Sequence, residues 1–122
     1  MKKDSKMGIV KAAVCKEFGE ALSVENVLLN EPQKGEVEVT LEACAVCHSD
    51  ITFMDGGWGG DLPAVYGHEA VGKISKIGTD ISGYNINDRV LLTLIRACGS
   101  CAHCASGAPT QCNEPYDRIN GP

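Results

Sequence analysis

The stretch E-V-E-V-T-L-E-A, from Glu36 to Ala43, alternates polar and apolar residues without interruption. Successive side chains of a β-strand point to opposite faces, so this pattern predicts a strand with one face in solvent and the other buried. It is the clearest strand signal in the chain. Its end brings Cys44 and Cys47 to the margin of the predicted core.

Further strand signals lie on both sides of this stretch. Apolar residues recur in short runs that are separated by turn signals, one of them at Gly19 and another at residues 31–35. The predicted strands are 9–16, 22–29, 36–43, 70–77 and 89–94. A short helix of about two turns is predicted from His48 to Met54, before the glycine-rich residues 55–61 force a loop. Many short strands with turns between them favour a small β-barrel or folded sheet.

The composition limits the class of protein. With 122 residues there is material for one domain with its own core, and the charge of 11 − 16 = −5 provides no basic field for nucleic acid. The charged residues 1–7 lead into no apolar signal region, and no run approaches the roughly 20 apolar residues that span a bilayer. We therefore expect a soluble, cytoplasmic protein with a disordered lead-in at 1–7 and with cysteines that bind metal.

The densest cysteine pattern is C-G-S-C-A-H-C-A-S-G-A-P-T-Q-C, from Cys98 to Cys112. Two C-x2-C steps present adjacent thiolates, and the return segment with Gly107 and Pro109 gives the last cysteine room to close the site. Zinc takes four such ligands at tetrahedral corners, about 2.3 Å from each sulfur. The pattern predicts a structural zinc with four cysteine ligands, which are Cys98, Cys101, Cys104 and Cys112.

Two other interpretations of this cluster are a redox C-x-x-C pair and a set of disulfides. A thioredoxin-like pair opens a helix in a βαβ unit, and Gly99, Ser100 and the residues after Cys104 are not typical of such a helix. His103 stands between two of the ligands. Because the cysteine set is complete without it, we interpret His103 as a solvent-facing loop residue.

Two further metal-type residues are Cys47 and His68. On its own, a cysteine after a strand is more often a buried small apolar residue, and a lone histidine is more often structural. Their neighbours change this interpretation: C-A-V-C-H-S-D ends at Asp50 and G-H-E ends at Glu69.

These two motifs, followed by N-D-R-V at residues 87–90 and then by the four cysteines, resemble the zinc-containing alcohol dehydrogenases of the medium-chain dehydrogenase/reductase family. The match runs from Val10 to Cys112. The resemblance implies a mainly β fold, a GroES-like β-barrel with short helices at 8–122, including a structural-zinc lobe at 94–115. In this family the partner of that domain is a Rossmann domain that binds NAD or NADP, and this chain carries no dinucleotide fingerprint.

The resemblance also implies roles for individual residues. Cys47 and His68 match the first two ligands of the catalytic zinc, and the four cysteines match the ligands of the structural zinc. Ser49 matches the hydroxyl residue that takes the proton of the alcohol, and Asp50 matches the carboxylate that supports the metal-binding histidine. Further matches are Glu69 to an acid near the metal, His48 to a basic position near the cofactor pyrophosphate, and Trp58 and Leu94 to substrate-facing positions.

Physical chemistry agrees with these roles. A catalytic zinc keeps three protein ligands and an open fourth position, and metal-bound histidines need a partner for the second ring nitrogen. The alternative roles are a helix cap for Asp50 and a backbone hydrogen bond for Ser49.

Two positions depart from the family pattern, and two cysteines lie outside it. Thr52 stands where some members carry a histidine that completes the proton relay. Asn87 replaces the usual glycine, although asparagine also adopts a left-handed turn. Cys15 and Cys44 have no role in the pattern, and we interpret both as buried thiols.

The third ligand of the catalytic zinc is absent from residues 116–122, so we expect this chain to be a fragment of a longer dehydrogenase. Alone, it should hold the structural zinc firmly, bind a second zinc weakly or not at all, and oxidise nothing. The full-length protein should be a homo-oligomer that acts on a small-molecule alcohol or aldehyde. Two alternatives remain: a stand-alone zinc-binding GroES-like module, and a zinc-dependent reductase or lyase-like relative on the same scaffold.

Overall fold

The computed structural model describes residues 8–94 and 97–113. These residues form mainly β-structure, as predicted, and each observed strand begins and ends within two residues of its predicted bounds. The elements are β1 (Gly8–Val14), β2 (Ser23–Leu29), β3 (Val37–Cys44), α1 (His48–Met54), β4 (Ala70–Ile77), β5 (Arg89–Leu92), α2 (Ala102–Ala105) and a 3₁₀ helix at Pro109–Gln111. The lead-in predicted at 1–7 lies outside the described residues.

The chain divides into two compact units, Met1–Leu92 and Thr93–Pro122. The first unit carries all five strands and α1, and the second carries α2 and the 3₁₀ helix. In the described part of the chain, no helix has the length and apolar character needed to cross a bilayer.

The strands of the first unit form two antiparallel sheets. β1 pairs with β2, and the second sheet has the order β3-β4-β5. Gly72 permits the close approach of β3 and β4, because a Cβ at this position would lie 2.3 Å from the carbonyl oxygen of Thr40. The turn before β5 places Asn87 at φ 73°, which confirms the left-handed conformation expected there.

Only some of the apolar side chains of the sheet β3-β4-β5 are shielded from solvent. Val37 and Val39 are half-buried and line an open cavity of about 390 Å³ together with Ile74 and Val90. Leu41, by contrast, is 53% exposed, so the prediction of one continuous buried face on this strand is wrong. The pairing of β3 with β4 has two register irregularities, between Glu38 and Val39 and between Leu41 and Ala43, and such irregularities disturb the regular alternation that the sequence pattern assumes.

The buried apolar residues of the described part are few, and they are Val14, Cys15, Ala70 and Ile74. The prediction that Cys15 is a buried thiol is confirmed by its 1% exposure. The same prediction for Cys44 is wrong, since this cysteine is exposed. Cys44 is the last residue of β3, and its sulfur faces Gly67, which has no side chain to cover it.

Candidate metal centres

The first candidate centre begins at the N-terminus of α1. Cys47 is the N-cap residue, with extended backbone at φ −94° and ψ 154°. Its backbone N–H donates to Oδ2 of Asp50 at 2.9 Å, and the N–H of Asp50 donates to the Cys47 carbonyl at 3.0 Å. This reciprocal pattern resembles a capping box, in which the third helical residue reaches back to the cap. It fixes the backbone from which the Cys47 thiol projects.

His68 joins this centre from the segment that leads into β4. Its Nδ1 lies 3.1 Å from Oδ1 of Asp50, a residue that is only 7% exposed. An ionised carboxylate can only accept, so the imidazole proton stands on Nδ1. The lone pair of Nε2 is then left on the other side of the ring, where a metal would need it.

Ser49 faces both ligand-type side chains. Its Oγ lies 3.3 Å from Nε2 of His68. Hydrogen bonds from the hydroxyl and the backbone N–H of Ser49 lower the pKa of the Cys47 thiol. The thiolate is the form of cysteine that binds metal, so this environment favours metal binding at Cys47.

Glu69 supplies a third potential donor. One ligand atom each from Cys47, His68 and Glu69 lies within 4.8 Å of the other two, and Oε1 of Glu69 is 3.6 Å from Nε2 of His68. Burial disfavours the charged ring of His68, but the Cys47 thiol and the Asp50 carboxylate outweigh it and raise the His68 pKa. Sulfur, imidazole and carboxylate donors at these separations fit a divalent zinc ion.

Three further residues were predicted near this centre, and they are His48, Trp58 and Leu94. His48 is exposed at the first position of α1, where its carbonyl accepts from the Thr52 hydroxyl at 3.2 Å. Trp58 is 61% exposed, and its ring meets Phe53 edge-on at 4.8 Å. Leu94 belongs to the second unit. Within the part of the chain that the structure describes, the donor cluster consists of Cys47, His68 and Glu69 and includes none of these three residues.

The second candidate centre consists of the four cysteines of the second unit. One sulfur atom from each of Cys98, Cys101, Cys104 and Cys112 lies within 4.8 Å of the others. The Sγ atoms of Cys98 and Cys104 are 4.0 Å apart. A tetrahedron with zinc–sulfur bonds of about 2.3 Å has edges of roughly 3.8 Å, so the spacing fits a four-sulfur zinc site.

Backbone N–H groups point at these sulfurs. Cys98 Sγ accepts from the N–H of Cys101 at 3.2 Å and from that of Ser100 at 3.5 Å, and the N–H of Cys104 donates to Cys101 Sγ at 3.4 Å. The N–H groups of Ser100 and Cys101 lower the pKa of the Cys98 thiol to about 6. The C-x2-C spacing places a turn between successive cysteines, and the N–H groups of these turns stabilise the thiolate form.

Cys104 shows the opposite shift. Burial, together with the neighbouring thiols, raises its pKa to about 12. Four thiolates this close repel one another, and a divalent cation at their centre would offset this electrostatic repulsion. His103 is exposed and lies within α2, a helix of four residues that had been expected as loop.

One functional contact was missed at the level of sequence. Helix capping and support of the histidine had been set against each other as alternative roles of Asp50, yet its two oxygens do both. The spacing from Cys47 to Asp50 is that of a capping box, with cysteine in the place of serine or threonine. This spacing is the sequence signal from which the capping role of Asp50 could have been predicted.

Comparisons with known proteins agree with this architecture. The family model described as the alcohol dehydrogenase GroES-like domain matches residues 33–121. An alcohol dehydrogenase of Moraxella sp. (strain TAE123) is 40% identical over 119 residues, which cover 92% of this chain and 35% of the relative. The chain spans about a third of the length of the curated relatives it matches.

Solved structures of this family also resemble the fold of this chain. The crystal structure of an alcohol dehydrogenase zinc-binding domain protein from Burkholderia ambifaria superposes with a TM-score of 0.84 at 34% identity, over 91% of this chain and 30% of that one. A second, described as an NAD-dependent alcohol dehydrogenase, gives a TM-score of 0.74 at 29% identity, over 86% of this chain and 32% of that chain.

Proposed function

This chain belongs to the family of alcohol dehydrogenase GroES-like domains, and we propose that it is the catalytic-domain part of a zinc-dependent alcohol dehydrogenase. In the longer protein, an alcohol would be oxidised to an aldehyde or ketone by hydride transfer to NAD or NADP. We further propose that the longer protein is a cytoplasmic homo-oligomer. Its substrate would be a small-molecule alcohol, or an aldehyde in the reverse direction.

The convergence of Cys47, His68 and Glu69 is the observation that supports this proposal most. Their donor atoms lie within 4.8 Å of one another, and both His68 and Cys47 are held by a buried carboxylate. The four cysteines form a closed ligand set with no place for a substrate, whereas this smaller set leaves positions open, as a catalytic site requires.

The residues around this set have distinct tasks. A zinc ion held by Cys47 and His68 would act there as a Lewis acid that lowers the pKa of an alcohol hydroxyl. Ser49 carries its hydroxyl beside Nε2 of His68, at 3.3 Å, where it can accept a proton from the alcohol and pass it outward. Asp50 keeps the proton of His68 on Nδ1.

Two exposed residues are assigned to the binding of the cofactor and of the alcohol. His48, at the first position of α1, would lie near the cofactor pyrophosphate. Trp58 would form an aromatic wall for the alcohol, because its ring is fixed edge-on against Phe53 while 61% of the residue stays exposed. Thr52 bonds its own helix through the His48 carbonyl, so proton release would proceed from Ser49 without a histidine at that position.

The test uses the longer protein with a panel of primary alcohols and either NAD or NADP. We expect Ser49→Ala to lower kcat by about 100-fold or more, because a positioned acid–base group contributes that much, while zinc content stays unchanged. Ser82→Ala, which alters an exposed loop serine, is the matched control and should behave as wild type. Absence of NAD(P)-dependent alcohol oxidation in the wild-type protein would refute the proposal.

A stand-alone zinc-binding module is the second candidate. The observation that favours it is the closed set of four cysteines, which needs no catalytic partner. If Cys47→Ala left the zinc content of the longer protein unaltered, the module would be the better description. Loss of one zinc equivalent would favour the dehydrogenase.

A further inference from the structure

We infer that Tyr66 positions Trp58 through the ring of Phe53, and that these three rings select alcohols which carry a flat aromatic group. This inference deepens the proposed function and rests on it, since Trp58 meets an alcohol only if Cys47 and His68 bind one through a metal. It adds a substrate class, the aryl alcohols, and the residue that sets the preference for them.

The three aromatic rings contact one another in series. The ring of Phe53 lies nearly parallel to that of Tyr66, with an interplanar angle of 14° and centroids 5.5 Å apart. The ring of Trp58 meets Phe53 edge-on, at an angle of 83° and a centroid distance of 4.8 Å. Aromatic pairs favour both arrangements because the face of a ring is negative and its edge is positive. Tyr66 therefore acts on Trp58 through Phe53.

Tyr66 and Phe53 stand on backbone that is held in place. Ala64, two positions before Tyr66, exchanges backbone hydrogen bonds of 2.8 and 2.9 Å with Cys15, which is 1% exposed. Phe53 belongs to α1, and the carbonyl of the last residue of this helix accepts the N–H of Gly19 at 2.9 Å. The two rings thus form a fixed base for the third.

Trp58, by contrast, stands on backbone with little conformational preference of its own. Residues 56–60 read G-G-W-G-G, and three of these four glycines have φ between 66° and 125°. Glycine enters this region without steric cost, so the segment has many accessible conformations. The N–H of Gly59 donates to the Gly56 carbonyl at 3.1 Å, which closes a turn around Trp58 but leaves the orientation of the indole open. Contact with Phe53 is what fixes that orientation.

The rings follow directly from the two segments that carry the metal-type residues. Tyr66 is two positions before His68, and Phe53 is six positions after Cys47. Six residues of α-helix rise by about 9 Å. An alcohol whose hydroxyl lies at Cys47 and His68 can therefore extend a ring-sized group toward Trp58.

The free indole surface favours a flat partner. An edge-on contact with Phe53 uses at most one face of the indole, and 61% of Trp58 is exposed. Two aromatic rings gain more in contact than the area they bury accounts for, whereas a saturated ring of the same size gains the area contribution alone. A correctly placed Trp58 therefore discriminates between the two kinds of ring.

The first measurement needs no substrate. Trp58 is the single tryptophan of the 122 residues, so the fluorescence anisotropy decay of this chain reports its motion alone. We expect the amplitude of the fast component to rise about twofold in Tyr66→Leu, which removes the ring, and to stay at the wild-type value in Tyr66→Phe, which keeps it. Tyr84→Leu is the matched control, because Tyr84 is an exposed tyrosine of the same unit, and it should leave the decay unchanged. Far-UV circular dichroism checks that each chain is folded.

The second measurement uses the longer protein with benzyl alcohol and cyclohexylmethanol, two alcohols of similar size of which only the first has a flat ring. Tyr66→Leu should lower the ratio of their kcat/KM values about 3- to 10-fold, through the KM for benzyl alcohol. Tyr66→Phe and Tyr84→Leu should change this ratio by less than about twofold. Zinc content and the kcat for ethanol, which is too short to reach Trp58, should stay at the wild-type level in all three variants.

Each outcome decides the inference. An unchanged anisotropy decay in Tyr66→Leu would show that Tyr66 does not position Trp58, and an unchanged substrate ratio would show that the rings do not select the alcohol; either result overturns the inference. An equal loss of activity toward ethanol would mean general damage to the site and would also overturn it. If the longer wild-type protein oxidises no alcohol, the proposed function fails and the substrate class falls with it, while the anisotropy decay still decides whether Tyr66 positions Trp58.

Discussion

Glu38 illustrates how single charged residues join β3 to β4. Its Oε2 lies 2.9 Å from Nζ of Lys76, and its Oε1 accepts from the Ser75 hydroxyl at 2.8 Å. Lys76 also reaches Oε1 of Glu31 at 2.9 Å. The hydrogen bond from Lys76 and then that from Ser75 lower the pKa of Glu38.

This lowered pKa predicts a pH dependence. The folded chain holds Glu38 ionised more strongly than the unfolded chain does, so its stabilising effect is present above the ordinary value of 4.5 and is lost as pH falls through the lower, folded pKa. The free energy of unfolding of wild type should therefore exceed that of Glu38→Gln near pH 6, and the difference should shrink toward about pH 3. Urea denaturation at several pH values measures this.

The control for that series is Glu20→Gln, a change at an exposed glutamate. Its difference from wild type should vary less over the same range. A difference between wild type and Glu38→Gln that stays constant from about pH 6 to pH 3 would contradict the role given to the Lys76 and Ser75 bonds.

At the level of single residues, the sequence was informative where spacing carries the chemistry. The four cysteines and the group around Cys47 and His68 were identified because ligand spacing is visible in one dimension. The exposure of Cys44 was not predictable, since it depends on what packs over the strand end, and Gly67 has no side chain to do so. The dual role of Asp50 required a contact across 18 positions.

At the scale of elements, β4 depends on Gly72. A Cβ there would lie 2.3 Å from Thr40 O and 2.7 Å from a methyl carbon of Val39, so β3 would have to move. We expect Gly72→Ala to lower the free energy of unfolding by about 1–3 kcal/mol, as overpacking does. Gly8→Ala is the matched control, because a Cβ at Gly8 meets nothing within 4 Å. Equal stability of the two variants in urea denaturation would refute the close approach.

The elements of the second unit predict a response to metal removal. α2 has four residues and the 3₁₀ helix has three, which is far below the length at which a helix is stable alone. A chelator that strips the four-cysteine site should therefore collapse the NMR chemical-shift dispersion of residues 97–113. Cys112→Ala should show the same collapse without chelator, and Cys44→Ser should not. Retained dispersion in the stripped chain would mean that metal is not what orders these elements.

Element boundaries were predictable because each strand is flanked by a turn signal, such as Gly19 at φ 79° or Asn87 at φ 73°. The burial of the strand faces was not predictable. Alternation in β3 predicts one buried face, but the register irregularities after Glu38 and Leu41 are set by pairing with β4, and no local pattern reveals them.

At the scale of the whole molecule, the described residues of each compact unit contain one candidate metal centre. The four cysteines lie in Thr93–Pro122, and Cys47, His68 and Glu69 lie in Met1–Leu92. The chain spans about a third of the length of its curated relatives, so the binding site for the nicotinamide cofactor would be contributed by the longer protein in the proposed enzyme. We therefore expect the isolated chain to oxidise no alcohol in the presence of NAD or NADP.

The central claim is that this chain contains two metal sites with separate ligand sets. Cobalt(II) titration of the zinc-free chain, followed by optical absorption and by equilibrium dialysis, tests it most directly. Wild type and Cys44→Ser should bind one equivalent tightly and a second more weakly. Cys47→Ala should lose only the weak equivalent, and Cys112→Ala should lose the tight one. A weak equivalent that persists in both Cys47→Ala and His68→Ala would contradict the claim.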